Sequence, residues 1–483
     1  MLLAGAAALA LTASVGSPAV ADTSSDNATA GSWWYRAMAV AEVHAQGITG
    51  AGVTVAVIDG AINPDLPYFA GTDLRVQAPA MCWTTHDPTS MVPTAISTDL
   101  AVSGHGSNVV AQIIGNGQGF DGGPSVAGIA PDATVLFYGT YWGNDMCIPG
   151  GTSDEHATTF NDPMGEAVVA AVDAGADIIS ISLSQGAAGD ALLDALKWAM
   201  HENVVVLMAV GNDLSSANGA VMNGVVGVNA TDENLVSVGY NGYYTAVSGP
   251  GATIAIQGDE TTGDWSPIST ATGTSLSTPI TAGALALVKS AYPEATGNQL
   301  IQTLLRNTGV GDHDMVWSGK ELGYGLVGLR NMLAHDPTQY PDVNPNLLET
   351  VRGPYAVSFE IFPDQVAAAT RPTWMFWPDG QLDTPVSPAP SASVEPSASA
   401  SGGPATDPGE AGQGGPGAAT GVPVWVLGAL AALLAATAVA VAVVRSRSSR
   451  TRAPAAAPPP PPPPPHGGDA GLTRPTILGG TER

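Results

Sequence analysis

Between residues 53 and 210 the chain alternates short, continuously apolar runs with longer stretches of mixed character. Val53–Asp59 (VTVAVID), Ala133–Tyr138 (ATVLFY), Asp177–Leu183 (DIISISL) and Val204–Val210 (VVVLMAV) are rich in β-branched residues and have no polar face. Such runs predict strands buried on both sides. Asn108–Ile114, Met164–Ala174 and Ala191–His201 predict helices, the first of them following a Gly-rich turn. Strands of this kind alternating with helices imply an α/β domain, a three-layer one whose mainly parallel sheet is covered by helices. Its span is 53–335. In such sheets ligands bind just beyond the carboxyl ends of the strands, so the polar residues found there are the ones to examine.

The ends of the chain read differently. Residues 2–13 (LLAGAAALALTA) form an apolar run too short to span a bilayer, and Ala19-Val20-Ala21 follows with the small residues of a cleavage site. This predicts a signal peptide over 1–21, although no Lys or Arg precedes the run. Residues 22–52 form an N-terminal extension, in which Trp33-Trp34-Tyr35 reads as an aromatic anchor onto the core. Residues 336–385 carry two aromatic, strand-like segments, Tyr355–Phe362 and Pro372–Trp377, and predict a β-rich extension. Residues 386–421 are Ser, Ala, Pro and Gly with a few acids, a composition that cannot bury enough surface to fold and reads as a disordered linker. Residues 422–444 are uncharged, and as a helix they would be about 34 Å long, enough for one transmembrane span. Arg445, Arg447, Arg450 and Arg452 follow at once and place the tail, 445–483, in the cytoplasm. Pro458 to Pro465 is an unbroken proline run, read as a polyproline II spacer.

Charge and cysteine content sharpen this topology. The formal net charge is -27, which argues against nucleic acid as a partner. Beyond residue 444 six Arg face two acids, so the acid is concentrated on the side assigned to the exterior. The expectation is a single-pass cell-membrane protein with its folded domain outside. Two cysteines cannot build a disulfide scaffold, but export makes a Cys82–Cys147 disulfide the expected pairing, stapling two long loops.

Four polar residues stand where the pattern directs attention. Asp59 ends the first strand, His105 lies in Gly104-His105-Gly106-Ser107 and is expected to open a helix, Asn212 follows the VVVLMAV strand, and Ser275 opens an apolar helix. Together they could carry acyl transfer. A serine hydroxyl needs a base to take its proton, and a neutral His105 can do so and then return the proton to a leaving amine. A buried carboxylate, Asp59, would fix the ring tautomer and stabilise the imidazolium. The Asn212 amide and the Ser275 backbone N–H could stabilise an oxyanion. The Gly neighbours are expected to let substrate backbone approach closely.

VAVID with NPDL, HGSNVVA, AVGN and GTSLSTP, in that order, resemble the four signatures of the subtilisin-like serine proteases. Gly128-Ile129-Ala130-Pro131 and Gly323-Tyr324-Gly325-Leu326-Val327 are similar to smaller family motifs. The resemblance implies a serine endopeptidase with Asp59, His105 and Ser275 as the triad, Asn212 in the oxyanion hole and a polypeptide substrate. It also implies that Ser182, Leu183 and Ser184 pair with substrate and that Val210 lines the primary pocket. Ser184 and Val210 are bulkier than the family's usual Gly and Ala, which implies a narrower pocket. Gly60 stands where the family usually has a hydroxyl beside its acid, so the support of Asp59 is incomplete in sequence.

Secreted relatives usually carry a folded propeptide, and 22–52 is too short for one. Short extension, outer domain, linker and terminal helix together resemble the mycosins, the membrane-anchored subtilases of actinobacterial type VII secretion systems. That implies a secretion membrane complex as partner, or alternatively a structural subunit of such a complex with little proteolytic role. No cofactor is expected. Many family members bind calcium, but no regular calcium-ligand pattern or paired-histidine metal motif is present, and Asp154-Glu155-His156 reads as a solvated loop.

Overall fold

The computed structural model describes residues 31–84, 87–92, 94–140, 162–183, 189–212, 220, 222–239, 244–347, 361–373 and 383–386. All of them lie in the first of two units into which the chain divides, Met1–Glu395. The signal peptide, the linker beyond Val386, the span 422–444 and the tail lie outside the described residues, as do Ser184, Cys147 and Asp154–His156. No described helix is long and apolar enough to cross a membrane.

The apolar runs form the strands that their composition predicts. β1 is Thr54–Asp59, β2 Asp73–Ala78, β3 Thr134–Gly139, β4 Ile178–Ile181, β5 Val205–Ala209, β6 Val226–Thr231 and β7 Val247–Pro250. A hairpin follows, β8 Ile254–Asp259 with β9 Asp264–Ala271, and β10 is Asp383–Val386. The main sheet has the order β7-β6-β5-β4-β1-β3-β2-β10. Every pairing is parallel except that of β10 with β2. The chain therefore winds outward in one direction through β2 and in the other from β4 onward. The reversal falls beside β1, which is where a doubly wound sheet opens a ligand crevice.

Alternate residues of the central strands enter two cores. Val55, Val57, Val135 and Phe137 pack with the helices α1 (Leu100–Ile114) and α4 (Thr274–Ala291) on one face. Ala56, Ile58, Leu136 and Tyr138 pack with α2 (Pro163–Asp173) and α3 (Asp190–His201) on the other. Period-two strands with both faces apolar need helices on both sides, and this arrangement is the predicted three-layer domain. α5 (Gly297–Arg306) begins with a reciprocal Thr296–Gln299 capping box.

The N-terminal extension is anchored as its aromatics suggest. Trp34 is buried, and the Trp33 indole N–H donates to the Ala252 carbonyl at 3.0 Å. His44 Nε2 donates to the Ile129 carbonyl at 2.8 Å, so Nδ1 is left to accept from the Tyr35 hydroxyl at 3.2 Å. Burial keeps this imidazole below its ordinary pKa. In the region 336–385, most of the two expected strand-like segments, 355–360 and 374–377, lies outside the described residues. The described parts of this region are mostly helical turns, Pro337–Gln339, Pro345–Leu347 and Pro363–Ala367, with the strand β10 at the end. Each turn starts at a proline, whose fixed φ suits the first helical position and whose missing N–H breaks a sheet ladder.

Candidate active site

Asp59 is the last residue of β1 and sits between its neighbours in register with Gly139 of β3, one residue past the Ile58–Ile181 pair with β4. Its side chain is 1 % exposed. Thr140 fixes its backbone, giving both N–H and hydroxyl hydrogen to the Asp59 carbonyl at 2.8 and 3.1 Å. Oδ1 accepts from the Gly60 N–H at 2.7 Å and from His105 Nδ1 at 2.9 Å. Oδ2 is buried with no hydrogen-bond partner among the described residues. Glycine at position 60 offers no side-chain hydroxyl to it.

His105 does not open its helix, contrary to the sequence expectation. α1 starts at Leu100, where Asp99 caps it by accepting from the Ala101 N–H, so His105 lies in the second turn. Two glycines at about 1 kcal/mol each do not end a helix that is capped at Asp99 and buries Val109, Val110, Ile113 and Ile114 in the core. Gly106 serves packing between parts of this chain. A Cβ on Gly106 would lie 2.4 Å from the Ala61 carbonyl oxygen, so only glycine lets α1 close onto the loop after β1. That closeness brings the imidazole to Asp59. The His105 side chain is 48 % exposed at its outer edge. Because the Asp59 carboxylate accepts, Nδ1 carries the proton and Nε2 keeps its lone pair. The Asp59 charge raises the imidazole pKa, against a lowering by burial, and Glu260 raises it further.

Ser275 is the second residue of α4, after Gly273 at the cap position. Its carbonyl accepts from the Ser182 hydroxyl at 2.8 Å. Asn212 Oδ1 accepts from the Thr274 N–H at 2.9 Å and from the Thr274 hydroxyl at 3.1 Å. A backbone N–H can only donate, so this contact sets the amide with its Nδ2 turned away from Thr274. A Cβ on Gly273 would be 3.0 Å from Ser275 Oγ and 3.4 Å from Asn212 Nδ2. The hydroxyl and the amide donor thus face one point beside a helix N-terminus, where partial positive charge favours a developing anion.

The remaining sequence candidates divide. Ser182 is buried and spends its hydroxyl on the backbone of Ser275, after β4 has already ended at Ile181. Leu183 is half-buried against the second core, and Val210 is fully within that core at 3 % exposure. A Cβ on Gly227 would lie 3.2 Å from Val210 Cγ1, so that glycine leaves room for the valine side chain. Cys82 is buried. Among the described residues no group of three or more His, Cys, Asp or Glu could hold a metal ion. Thr274 and Ser182, which orient Asn212 and Ser275, carry no separate sequence signal of their role. Thr274 nevertheless stands inside GTSLSTP, where a hydroxyl next to a candidate nucleophile could have been read as its partner's support.

The pattern of the Subtilase family matches residues 50–331. The minor extracellular protease Epr of Bacillus subtilis is 28% identical over 308 residues, covering 61% of this chain and 40% of that protein. The minor extracellular protease Vpr of the same organism is 32% identical over 195 residues, 40% of this chain and 21% of that protein. Subtilisin E, also from Bacillus subtilis, is 27% identical over 267 residues, 53% of this chain and 61% of that protein. The chain thus spans less than two thirds of the length of each of these relatives. Among solved structures, the MycP3 protease from the type VII (ESX-3) secretion system aligns over 63% of this chain and 88% of that chain, at 23% identity and a TM-score of 0.46. Fervidolysin from Fervidobacterium pennivorans aligns over 63% and 45%, at 22% identity and a TM-score of 0.48.

Proposed function

The chain belongs to the subtilase family, and from that premise we propose that it is a serine endopeptidase acting through Asp59, His105 and Ser275. The observation that carries the reading is the buried carboxylate held 2.9 Å from Nδ1 of an imidazole whose Nε2 is left as a base. Ser275 Oγ attacks the substrate carbonyl carbon while His105 Nε2 takes its proton. Asp59 holds the tautomer and offsets the imidazolium charge. Asn212 Nδ2 and the Ser275 N–H receive the oxyanion. The same proton then goes to the leaving amine, and water repeats the sequence on the acyl-enzyme. A fluorophosphonate probe tests this: it labels the wild-type chain and not Ser275→Ala. Failure to label wild type removes the reading.

The finer assignment rests on sequence order. A leader, a short extension, one α/β domain, a Pro/Ala/Gly/Ser linker and the uncharged stretch 422–444 before an arginine cluster support a single-pass cell-membrane protease with its domain outside. They support a mycosin-like role beside a type VII secretion complex, with polypeptide as substrate. A Cys82–Cys147 disulfide belongs to the same exported reading, and no described cysteine is a free thiol.

A further inference from the structure

The β8–β9 hairpin lies against the helix that carries His105. Asn108 Nδ2 donates to the Gln257 carbonyl at 3.0 Å, and the Gln257 N–H donates back to Asn108 Oδ1 at 2.7 Å. The Trp265 indole N–H donates to the Thr98 carbonyl at 2.9 Å, just before the start of α1. Gly258 lets the strand pass Leu100, because a Cβ there would lie 2.8 Å from the Leu100 side chain. The tip of the hairpin is therefore held in place on the turn of α1 that precedes the imidazole.

Three acids stand at that tip, and they are not equivalent. Asp259 Oδ1 accepts from the Thr261 N–H and hydroxyl at 2.9 and 2.6 Å. Asp264 Oδ1 accepts from the Ser266 N–H and hydroxyl at 2.9 and 2.7 Å. Both carboxylates are used to close the turn. Glu260 is exposed, and among the described residues no hydrogen bond or ion pair engages its carboxylate. Its Oε1 lies 4.0 Å from where a Cβ on Gly104 would be, the residue directly before His105.

We propose that Glu260 is a specificity-determining residue of the cleft, selecting polypeptide substrates that carry lysine or arginine at a position flanking the scissile bond. The inference rests on the endopeptidase reading and names its substrate class. His105 must reach the leaving amine, so substrate residues on either side of the cut pass close to it. A long cationic side chain there meets an unneutralised carboxylate carried on an anchored hairpin, whereas an acidic one meets repulsion, and both effects set preference. Glu260→Lys would reverse the sign of the site without touching the bonds that hold the hairpin.

The test uses the full chain and matched fluorogenic peptides in which each position flanking the cut carries either arginine or its neutral isostere citrulline. At one position the wild type is expected to favour arginine by about two- to fivefold in kcat/KM, the scale of one exposed ion pair. Added salt should shrink the ratio. Glu260→Gln should bring it to unity, and Glu260→Lys should invert it, with thermal unfolding confirming that both variants fold. A wild type without preference at any flanking position, or a preference kept by Glu260→Gln, overturns the proposal. Probe labelling of Ser275 separates the two levels: labelled enzyme lacking the preference sinks only the role of Glu260, whereas unlabelled enzyme sinks the endopeptidase reading with it.

Discussion

His105 meets one carboxylate directly and feels a second across the rim, and both act on its proton. The Asp59 charge holds the imidazole above its ordinary pKa, with Glu260 adding to the effect. A base must be neutral, so turnover should fall as the pH drops through this raised value rather than through about 6.5, the unperturbed imidazole figure. The stability contribution of the pair runs the other way: it is complete below the ordinary value and is lost as pH rises through the raised one. A kcat/KM profile against pH checks the first statement, and the inflexion should move to lower pH in Glu260→Gln. Asp59→Asn should lower turnover by on the order of 10⁴, because an amide no longer selects the Nδ1–H tautomer. Asn212→Ala should leave the fold intact and cost on the order of 10²–10³ in kcat. The orphaned Oδ2 of Asp59 makes a prediction of the opposite sign. Gly60→Ser supplies a hydroxyl beside it, and one satisfied buried hydrogen bond should stabilise the domain by about 1 kcal/mol, read as a higher denaturation midpoint. An unchanged or lower midpoint would mean that the serine side chain does not reach the carboxylate.

Besides β1 and α4, which hold Asp59 and Ser275, the site is framed by the helix α1 and the hairpin that leads through Ala271 and Thr272 to α4. Asn108 and Gln257 tie them together. The Gln257 amide also donates to the Trp265, Ser266 and Pro267 carbonyls at 2.8, 2.7 and 3.2 Å, and its oxygen accepts from the Ser125 hydroxyl at 2.6 Å. Both residues are at most 5 % exposed. Asn108→Leu leaves a Gln257 N–H and carbonyl buried without that partner, and should destabilise the chain by about 2–4 kcal/mol in urea unfolding. A loss within experimental scatter would show that the hairpin is held by other contacts. These elements also mark what sequence could and could not foretell. The strands were legible because a sheet covered on both faces demands unbroken apolar runs, and VTVAVID and VVVLMAV have them. The start of α1 was not, because two glycines around His105 mimic a turn while the capping carboxylate at Asp99 lies several residues upstream. The hairpin was missed for a related reason. IAIQGDETTGDWSPISTA mixes polar and apolar positions on both strands, since its buried side includes Gln257, a polar residue satisfied only by partners distant in sequence. Glu260 is invisible for the same cause, as nothing local places it beside residue 104.

At the scale of the whole chain, the folded domain and the proposed anchor make separate demands on the same polypeptide. The described residues of the domain close their own cores, with β10 covering the β2 edge of the sheet. The proposed anchor, 422–444, would need a bilayer, because as a helix of about 34 Å this uncharged stretch would have no polar face with which to join a soluble core. If both hold, location and chemistry can be uncoupled. The full chain should sediment with membranes and leave them only with detergent, whereas high salt should not release it, since transfer of so much apolar surface is not an ionic contact. A chain stopped after Val386 should appear in the soluble fraction, and its Ser275 should still react with a fluorophosphonate. Replacing two central residues of 422–444 by arginine should release the full chain in the same way, because each charge at the middle of a helix costs about 2.5–3.5 kcal/mol on insertion. Soluble behaviour of the unaltered full chain would remove the anchor while leaving the peptidase reading in place. Membrane-bound but unreactive protein would do the reverse, and would shift weight to a role as a structural subunit.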